Sequence, residues 1–162
     1  LFSSNVIGPP SVTLIKNDKA EWYDNKLKWL VDIDYYFRRL ENSSPVYINN
    51  PIINVGIHAT QVTQSTFRVA AVEIPEHMHM LQKTGTGIFK DVLVYDAWWR
   101  FVRNLKIRSL QDIRNTGYQG EIPGILQSMI EWQSKWPGPL LKFGVFSKIL
   151  MFTHRISHQN LY

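Results

Sequence analysis

The sequence LKWLVDIDYYFRR, residues 27–39, alternates apolar and charged side chains over most of its length. Its apolar positions are Trp29, Val31, Ile33, Tyr35 and Phe37. The charged residues between and beside them are Lys28, Asp32, Asp34 and Arg38. Successive side chains of a strand point to opposite faces, so this pattern predicts a half-buried β-strand.

Three further runs are rich in residues that favour strands, and they cover residues 52–58, 66–74 and 88–95. Pro75 follows the second run and ends it, because proline cannot donate a hydrogen bond to a β-ladder. Residues 75–87 are then predicted to form a loop.

Residues 98–110 fit two structures. Apolar and polar side chains alternate over most of the run, with Trp99, Phe101, Leu105 and Ile107 between Arg100, Asn104, Lys106 and Arg108. As a strand, the run has a basic outer face, and this is the interpretation that the alternation favours. As a helix, it turns Trp98, Val102 and Leu105 inward. The sequence alone leaves both open.

The clearest helix pattern lies at residues 122–136, where apolar side chains recur at helical spacing and Pro123 suits the first turn. Pro137 and Pro139 end it. We therefore predict an α+β fold: an antiparallel β-sheet with one main amphipathic helix near 122–136. Residues 1–11 are predicted to form an extended N-terminal arm, since Pro9 and Pro10 block a helix, and residues 12–162 to form a single globular domain.

Composition narrows the possible functions. The chain has 162 residues, of which 44% are hydrophobic and 19% charged, and this is a globular composition. It contains no cysteine, which excludes disulfides and thiolate metal sites. No apolar run approaches the length of a transmembrane helix, and no basic segment precedes an apolar run at the start, so we expect no signal peptide.

Positive charge is concentrated in the second half of the chain. Residues 1–80 hold seven basic and eight acidic side chains, whereas residues 81–162 hold eleven basic and five acidic. This asymmetry favours an anionic partner, either nucleic acid or an anionic membrane, over a solvated basic face without a partner. The candidate anion-binding residues are Arg100, Arg103, Lys106, Arg108 and Arg114, supported by Lys142 and Lys148.

Two histidines near the middle of the chain suggest a second kind of site. On a strand, His77 and His79 would share one face, as two metal ligands can, but no third ligand of known spacing accompanies them. His154 and His158 are four residues apart and would lie on the same side of a helix. No glutamate lies between them as it does in the zinc-protease motif, so they indicate a metal site only weakly. We predict no metal, no cofactor and no catalytic residue, and a small histidine-site enzyme remains an alternative.

The order of features after residue 98 resembles the central part of rhabdovirus matrix proteins. A basic aromatic segment (98–110) is followed by a helix pattern containing Ile130-Glu131-Trp132, a Pro/Gly break, and the apolar-basic run Phe146-Ser-Lys-Ile-Leu-Met-Phe152. Gly8-Pro9-Pro10 is similar to the proline-rich N-terminal tails of that family. The length and basic charge also suit the shorter matrix proteins of plant-infecting members.

The resemblance implies a non-enzymatic, self-associating protein that lies beneath the envelope of a virion. In the host it would occur in the cytoplasm and at the inner face of a membrane. It would bridge an anionic lipid membrane and a viral nucleocapsid or nucleic acid, with an envelope glycoprotein as a further partner. We assign Phe2, Pro9 and Pro10 to contacts with a neighbouring copy. The alternative is a sequence-tolerant RNA- or DNA-binding module that stacks bases on Trp98 and Trp99.

Overall fold

The computed structural model describes residues 5–17, 22–41, 43–54, 56 and 68–162. Helices contain 60% of these residues, and none of them lies in a β-strand. The predicted α+β fold with an antiparallel sheet is therefore wrong, and the protein is helical throughout these ranges.

Seven α-helices and three short 3-10 turns follow one another along the described residues. The helices are α1 (Val31–Glu41), α2 (Ala70–Thr84), α3 (Val92–Asn104), α4 (Leu110–Arg114), α5 (Gly124–Ser134), α6 (Gly138–Lys142) and α7 (Gly144–Ser157). The 3-10 turns are Pro10–Val12, Thr86–Lys90 and Gln159–Leu161.

The strand predicted for residues 27–39 is instead helix α1, which buries Ile33, Asp34 and Tyr36. The Glu76 carboxylate on α2 accepts hydrogen bonds from three successive N–H groups just before α1. The donors are Lys28 (2.8 Å), Trp29 (2.9 Å) and Leu30 (2.8 Å). N–H groups at a helix start have no partner within the helix, so this distant carboxylate stabilises α1 in place of a local cap.

The strand predicted to end at Pro75 and the loop predicted for 75–87 are largely helix α2, which continues through Pro75. Proline costs the helix one hydrogen bond. Ile74, Met78 and Leu81 lie at helical spacing and are 1%, 0% and 1% exposed, so core packing outweighs this loss. Of the predicted strand at 52–58, residues 52–54 and 56 form no ladder, and the rest lie outside the described residues.

The predicted strands at 88–95 and 98–110 are replaced by the second 3-10 turn and α3. The Asp91 side chain caps α3 by accepting from the N–H groups of Leu93 (2.7 Å) and Val94 (3.3 Å). After α3, the N–H of Ile107 donates to the carbonyl of Val102 (3.0 Å), and Lys106 has φ 56°. This is a Schellman-type ending with a lysine in the left-handed position that glycine usually fills. The helical alternative for residues 98–104 is the correct one.

A helix does lie inside the predicted range 122–136, but it is not the main one. α5 has 11 residues, whereas α2, α3 and α7 have 15, 13 and 14. Pro137 separates α5 from α6, since proline cannot continue a helix.

The main core forms around α3, which packs against α5, α6 and α7. Its fully buried side chains come from every one of these helices. They include Tyr95, Trp99 and Val102 of α3, Leu126 and Met129 of α5, Leu141 of α6 and Met151 of α7.

The N-terminal part attaches to this core mainly through polar contacts. Leu27, Ile33 and Tyr36 are buried but do not belong to the main apolar cluster. Asp34, 2% exposed, pairs with Arg38 on its own helix (2.9 Å) and with Lys83 of α2. These ion pairs and the Glu76 contacts hold α1 on α2.

The structure describes the predicted N-terminal arm from residue 5 onward. Pro9 and Pro10 are exposed, Pro10 begins a 3-10 turn, and Thr13 Oγ1 lies 3.4 Å from the Tyr36 hydroxyl of α1. Phe2 lies outside the described residues, so contacts of Phe2, Pro9 and Pro10 with a neighbouring copy stay a prediction. Among the described helices, none has the length and apolar character needed to cross a membrane.

Candidate functional site

Helix α7 carries apolar side chains on two opposite sides. Its inner side packs into the core through Ser147, Leu150, Met151 and His154. Its outer side exposes four large apolar side chains, which we call the outer stripe: Val145 (66% exposed), Ile149 (58%), Phe152 (46%) and Ile156 (68%). The spacing of four, three and four residues places them in one line along the helix.

Three hydrogen bonds fix the rotation of α7 and so keep the outer stripe facing solvent. Trp99 Nε1 and Arg103 Nη1 both donate to Ser147 Oγ, at 3.1 and 3.2 Å. Arg155 donates to the carbonyl of Lys90 at 2.6 Å. Because these bonds tie α7 to α3 and to the turn before it, the stripe cannot turn inward without breaking them, and the bond between Trp99 and Ser147 is buried.

Two further exposed apolar side chains precede the outer stripe in the chain. Leu140 of α6 is 44% exposed, and Phe143, the residue before α7, is 63% exposed. Four large apolar side chains exposed in one line along a folded helix indicate a binding surface.

The surroundings of the outer stripe are basic. No aspartate or glutamate follows Glu131 in the sequence, whereas Lys135, Lys142, Lys148 and Arg155 do. Lys142 is exposed and forms no ion pair with a described residue. Lys148 lies beside the stripe, 52% exposed, and its Nζ is 2.6 Å from the Asp96 carboxylate of α3. The surface thus combines apolar side chains with positive charge, and this combination suits an anionic, partly apolar partner.

Three of the predicted anion-binding arginines have structural partners. Arg108 donates to the carbonyls of Gln133 (2.7 Å) and Trp136 (3.2 Å) at the end of α5. Arg114 donates to the carbonyls of Tyr118 (3.2 Å) and Gly120 (2.7 Å). Arg103 donates to Leu141 of α6 (3.3 Å), and burial lowers the pKa of its guanidinium. All three are half-buried and hold loops and helix ends in place.

The other four predicted residues lie closer to solvent. Arg100 and Lys148 are brought together by Asp96, a buried carboxylate whose oxygens lie 3.1 Å from Arg100 Nε and 2.6 Å from Lys148 Nζ. Lys106 and Lys142 are exposed at the ends of α3 and α6. The strand pattern that predicted a basic outer face for residues 98–110 does not hold on a helix, because side chains two residues apart then point in different directions.

The aromatic pair proposed to stack on bases is inside the core. Trp98 is 2% exposed and Trp99 is 1% exposed. Base stacking requires rings that solvent can reach, so neither residue can serve a nucleic-acid-binding module in this conformation.

The histidines at 77 and 79 lie on helix α2 and face different surroundings. His77 Nδ1 is 2.7 Å from the Glu73 carbonyl, its ring stacks on Phe101 at 4.2 Å, and burial lowers its pKa to about 4. His79 Nε2 is 2.8 Å from Asp24, and this hydrogen bond is the main reason why the pKa of Asp24 falls well below its usual range. No group of three His, Asp or Glu residues suited to a metal lies within the described ranges.

His154, which the sequence suggested only as half of a weak metal-ligand pair with His158, is a buried residue that joins three helices. His154 of α7 is fully buried, with its Nδ1 2.6 Å from the Tyr95 hydroxyl of α3 and its Nε2 2.8 Å from Ser128 Oγ of α5. Burial, with a smaller contribution from His158, lowers its pKa to about 4, and burial also raises the pKa of Tyr95. Because both ring nitrogens are engaged and solvent does not reach them, this group supports the fold and not substrate chemistry.

Comparison with family models, with curated proteins and with solved structures finds no match to this chain. The resemblance to rhabdovirus matrix proteins therefore stays a prediction from the sequence, and the outer stripe must be interpreted from its own chemistry.

Proposed function

We propose that this protein is a non-enzymatic structural protein of the viral matrix type that binds an anionic membrane through the outer stripe of α7. The observation that carries the proposal is the stripe itself: four exposed apolar side chains on a helix whose opposite side is already buried. Such a helix lies in the plane of a membrane surface, with its apolar side chains at the boundary between headgroups and acyl chains.

Charge and shape favour a membrane over a second α7 helix as the occupant of this surface. Two copies of α7 packed along their stripes would bring basic side chains towards each other, and of these Lys148 is paired with Asp96 of α3 whereas Arg155 donates to the neutral carbonyl of Lys90. An anionic membrane instead attracts each cation near its surface by about 1 kcal/mol. The stripe is a line of exposed side chains along one helix, so a flat, deformable surface can cover it.

The bridging role belongs to the same proposal. A matrix-type protein would lie beneath a viral envelope, at the cytoplasmic face of the host membrane, and would also contact a nucleocapsid or nucleic acid. Lys106, which is exposed at the end of α3, supports such an anionic contact. Self-association and binding to an envelope glycoprotein complete the expected partners, and the resemblance in sequence is what supports them.

Co-sedimentation with vesicles tests the proposal. We expect binding to vesicles containing anionic lipid at low salt, weaker binding at high salt, and little binding to uncharged vesicles. The variant Ile149→Asp should reduce binding about tenfold or more, because it removes an inserted apolar side chain and adds a repelled charge. Gln111→Asp adds the same charge at an exposed position of α4 and should bind nearly as the wild type does.

Two outcomes would overturn the proposal. One is a folded protein that binds no vesicle under any condition. The other is an equal loss of binding in both variants, which would make net charge alone responsible. Binding of RNA in place of vesicles would instead support the nucleic-acid alternative.

A further inference from the structure

A buried carboxylate holds two cations between α3 and α7, beside the outer stripe. The Asp96 carboxylate places one oxygen 3.1 Å from Arg100 Nε and the other 2.6 Å from Lys148 Nζ. The side chains of Arg100 and Lys148 remain 42% and 52% exposed. We call these two residues the bridged cations, because one carboxylate joins them while both still reach solvent.

The bridged cations lie along one edge of the outer stripe. Lys148 follows Val145 by three residues and precedes Phe152 by four, so it lies beside both on the surface of α7. Its contact with Asp96 shows that this edge of the helix faces α3. When a helix lies in a membrane surface with its apolar side inserted, cations along its edge reach the level of the lipid headgroups.

The way in which the bridged cations share Asp96 also suits a phosphate group. Each contacts a different oxygen of one carboxylate, and two oxygens of a phosphate have nearly the same spacing as those of a carboxylate. Each contacts Asp96 through one nitrogen and keeps exposed surface. A phosphate can therefore approach both from the solvent side and accept charge-assisted hydrogen bonds from them.

Asp96 fixes the bridged cations in place before a ligand arrives. A long side chain that moves freely in solvent loses conformational freedom when it binds a ligand, and this loss weakens binding. Because one buried carboxylate holds both cations, part of the loss has already occurred on folding. Asp96 is thus a positioning residue, which acts through Arg100 and Lys148.

The charges around Asp96 favour a ligand with more than one negative charge. Burial, and then the charge of Arg100, lower the pKa of Arg103, so these two arginines lie close together. Arg100, Arg103 and Lys148 carry three positive charges against the single negative charge of Asp96, an excess of two among these four side chains. A phosphate monoester carries about 1.5 to 2 negative charges at neutral pH and has three terminal oxygens. A diester carries a single charge.

We infer that Arg100 and Lys148, positioned by Asp96, bind the phosphate of a lipid headgroup and favour a phosphate monoester over a diester. The inference rests on the proposed function, because insertion of the outer stripe is what brings headgroups to this edge of α7. It adds the chemical class of the headgroup and the residues that recognise it.

Vesicles of two compositions test this preference. Phosphatidic acid presents a phosphate monoester and phosphatidylglycerol a diester, and each is mixed with phosphatidylcholine until the surface potentials are equal. The wild type should bind phosphatidic acid vesicles about fivefold more tightly, because a further charge-assisted hydrogen bond forms. Equal binding to both compositions would overturn the inference alone. No binding to either would overturn the proposed function.

Three variants separate recognition by the bridged cations from an effect of net charge. Lys148→Gln should bind both vesicle compositions alike. Lys142→Gln, which removes an exposed cation outside the bridged pair, should weaken binding to both and keep the preference. Asp96→Asn makes the protein more positive but should lose the preference, because the two cations are no longer held together. A preference that survives in Lys148→Gln or Asp96→Asn, or disappears in Lys142→Gln, would overturn the inference.

A soluble phosphate monoester distinguishes a lipid from a free compound as the source of the phosphate. Glycerol 3-phosphate carries the same group without acyl chains. Compared with sodium chloride at equal ionic strength, it should release no additional protein from phosphatidic acid vesicles, because it cannot combine phosphate binding with insertion of the stripe. Additional release would indicate a free phosphate compound as the ligand and would overturn the assignment to a lipid headgroup.

Discussion

At the scale of single residues, the protein depends on buried polar groups whose partners come from other helices. His154 links α7 to Tyr95 of α3 and Ser128 of α5. Glu76 of α2 binds the start of α1. A buried polar group contributes to stability only while its partner is in place, and losing the partner costs more than the bond itself contributes. These two residues are therefore sensitive points in the molecule.

Because burial lowers the pKa of His154, we predict that acid destabilises the fold. Its ordinary pKa is 6.5, and burial lowers it to about 4 in the folded protein. Between pH 6.5 and about 4, His154 is protonated in the unfolded chain but stays neutral in the folded protein. The free energy of unfolding therefore falls as the pH drops from 6.5 towards 4. This histidine alone accounts for at most about 3 kcal/mol of that fall.

Urea unfolding measured from about pH 4 to pH 8, in the wild type and in His154→Gln, checks this expectation. The variant should be less stable at neutral pH but should show a shallower decline in acid. His77, whose pKa also falls to about 4, should supply part of the slope that remains. An identical pH dependence in the two proteins would contradict the assignment to His154.

Glu76→Gln should loosen α1 without unfolding the main core. The glutamine lacks the charge and one of the two acceptor oxygens that bind the N–H groups of residues 28–30, so we expect a loss of about 1–3 kcal/mol. Hydrogen exchange should accelerate over residues 28–41 and change little in α3. Glu131→Gln, at an exposed position, is the matched control. Equal exchange in both variants would show that Glu76 does not hold α1.

A side-chain contact can be predicted from the sequence only where both partners lie close together in the chain. Asp91 and Arg38 act within one helical turn of their partners, as local patterns allow. Glu76 acts on residues 46 to 48 positions away, and His79 binds Asp24 across 55 positions. No local signal marks such pairs. The interpretation of His77 and His79 as one face also depended on a strand that does not form.

At the scale of secondary-structure elements, α7 is both part of the core and part of the surface. One side of α7 packs into the core, and its opposite side faces solvent. Under the proposed function, a membrane covering the outer stripe would contribute binding energy without disturbing the inner side. Variants on the stripe should therefore change binding while leaving stability close to that of the wild type.

Lys142→Ala tests the charge beside the stripe. Removing one cation near an anionic membrane should weaken binding about fivefold at low salt, since each contributes about 1 kcal/mol there. The difference should shrink at high salt, where charges are screened. Vesicle titration of this variant and of Lys26→Ala, an exposed lysine before α1, provides the measurement and its control. An equal effect of both substitutions would indicate a response to net charge and not to the site.

The strand predictions based on alternating side chains were wrong, and the buried residues of the helices formed instead show why. In residues 27–39, the buried set is Ile33, Asp34 and Tyr36, which no single face of a strand could hold, because adjacent residues point to opposite faces. In residues 98–104, the buried set Trp98, Trp99 and Val102 follows helical spacing. A short apolar run fits both the two-residue period of a strand and the 3.6-residue period of a helix. Packing against distant parts of the chain decides which of the two forms. The helix inside 122–136 was predictable because Pro123 and Pro137 bound it locally.

At the scale of the whole molecule, exposed apolar side chains and basic side chains occur together in the C-terminal half of the chain. The outer stripe lies in this basic half. The basic half does not present all its cations, because Arg103, Arg108 and Arg114 bind main-chain carbonyls. Net charge computed from sequence therefore overstated the anion-binding surface, which only side-chain placement could define.

The central claim is that the outer stripe of α7 inserts into an anionic membrane. It is tested most directly by measuring the polarity around single positions of α7 when the protein binds vesicles. An environment-sensitive fluorophore can be attached to Ile149→Cys or Phe152→Cys, because the chain has no other cysteine. With anionic vesicles, we expect emission at both positions to shift to that of an apolar medium, while a probe on Gln111→Cys stays in water. Binding without a shift at 149 and 152, or an equal shift at 111, would contradict insertion of the outer stripe.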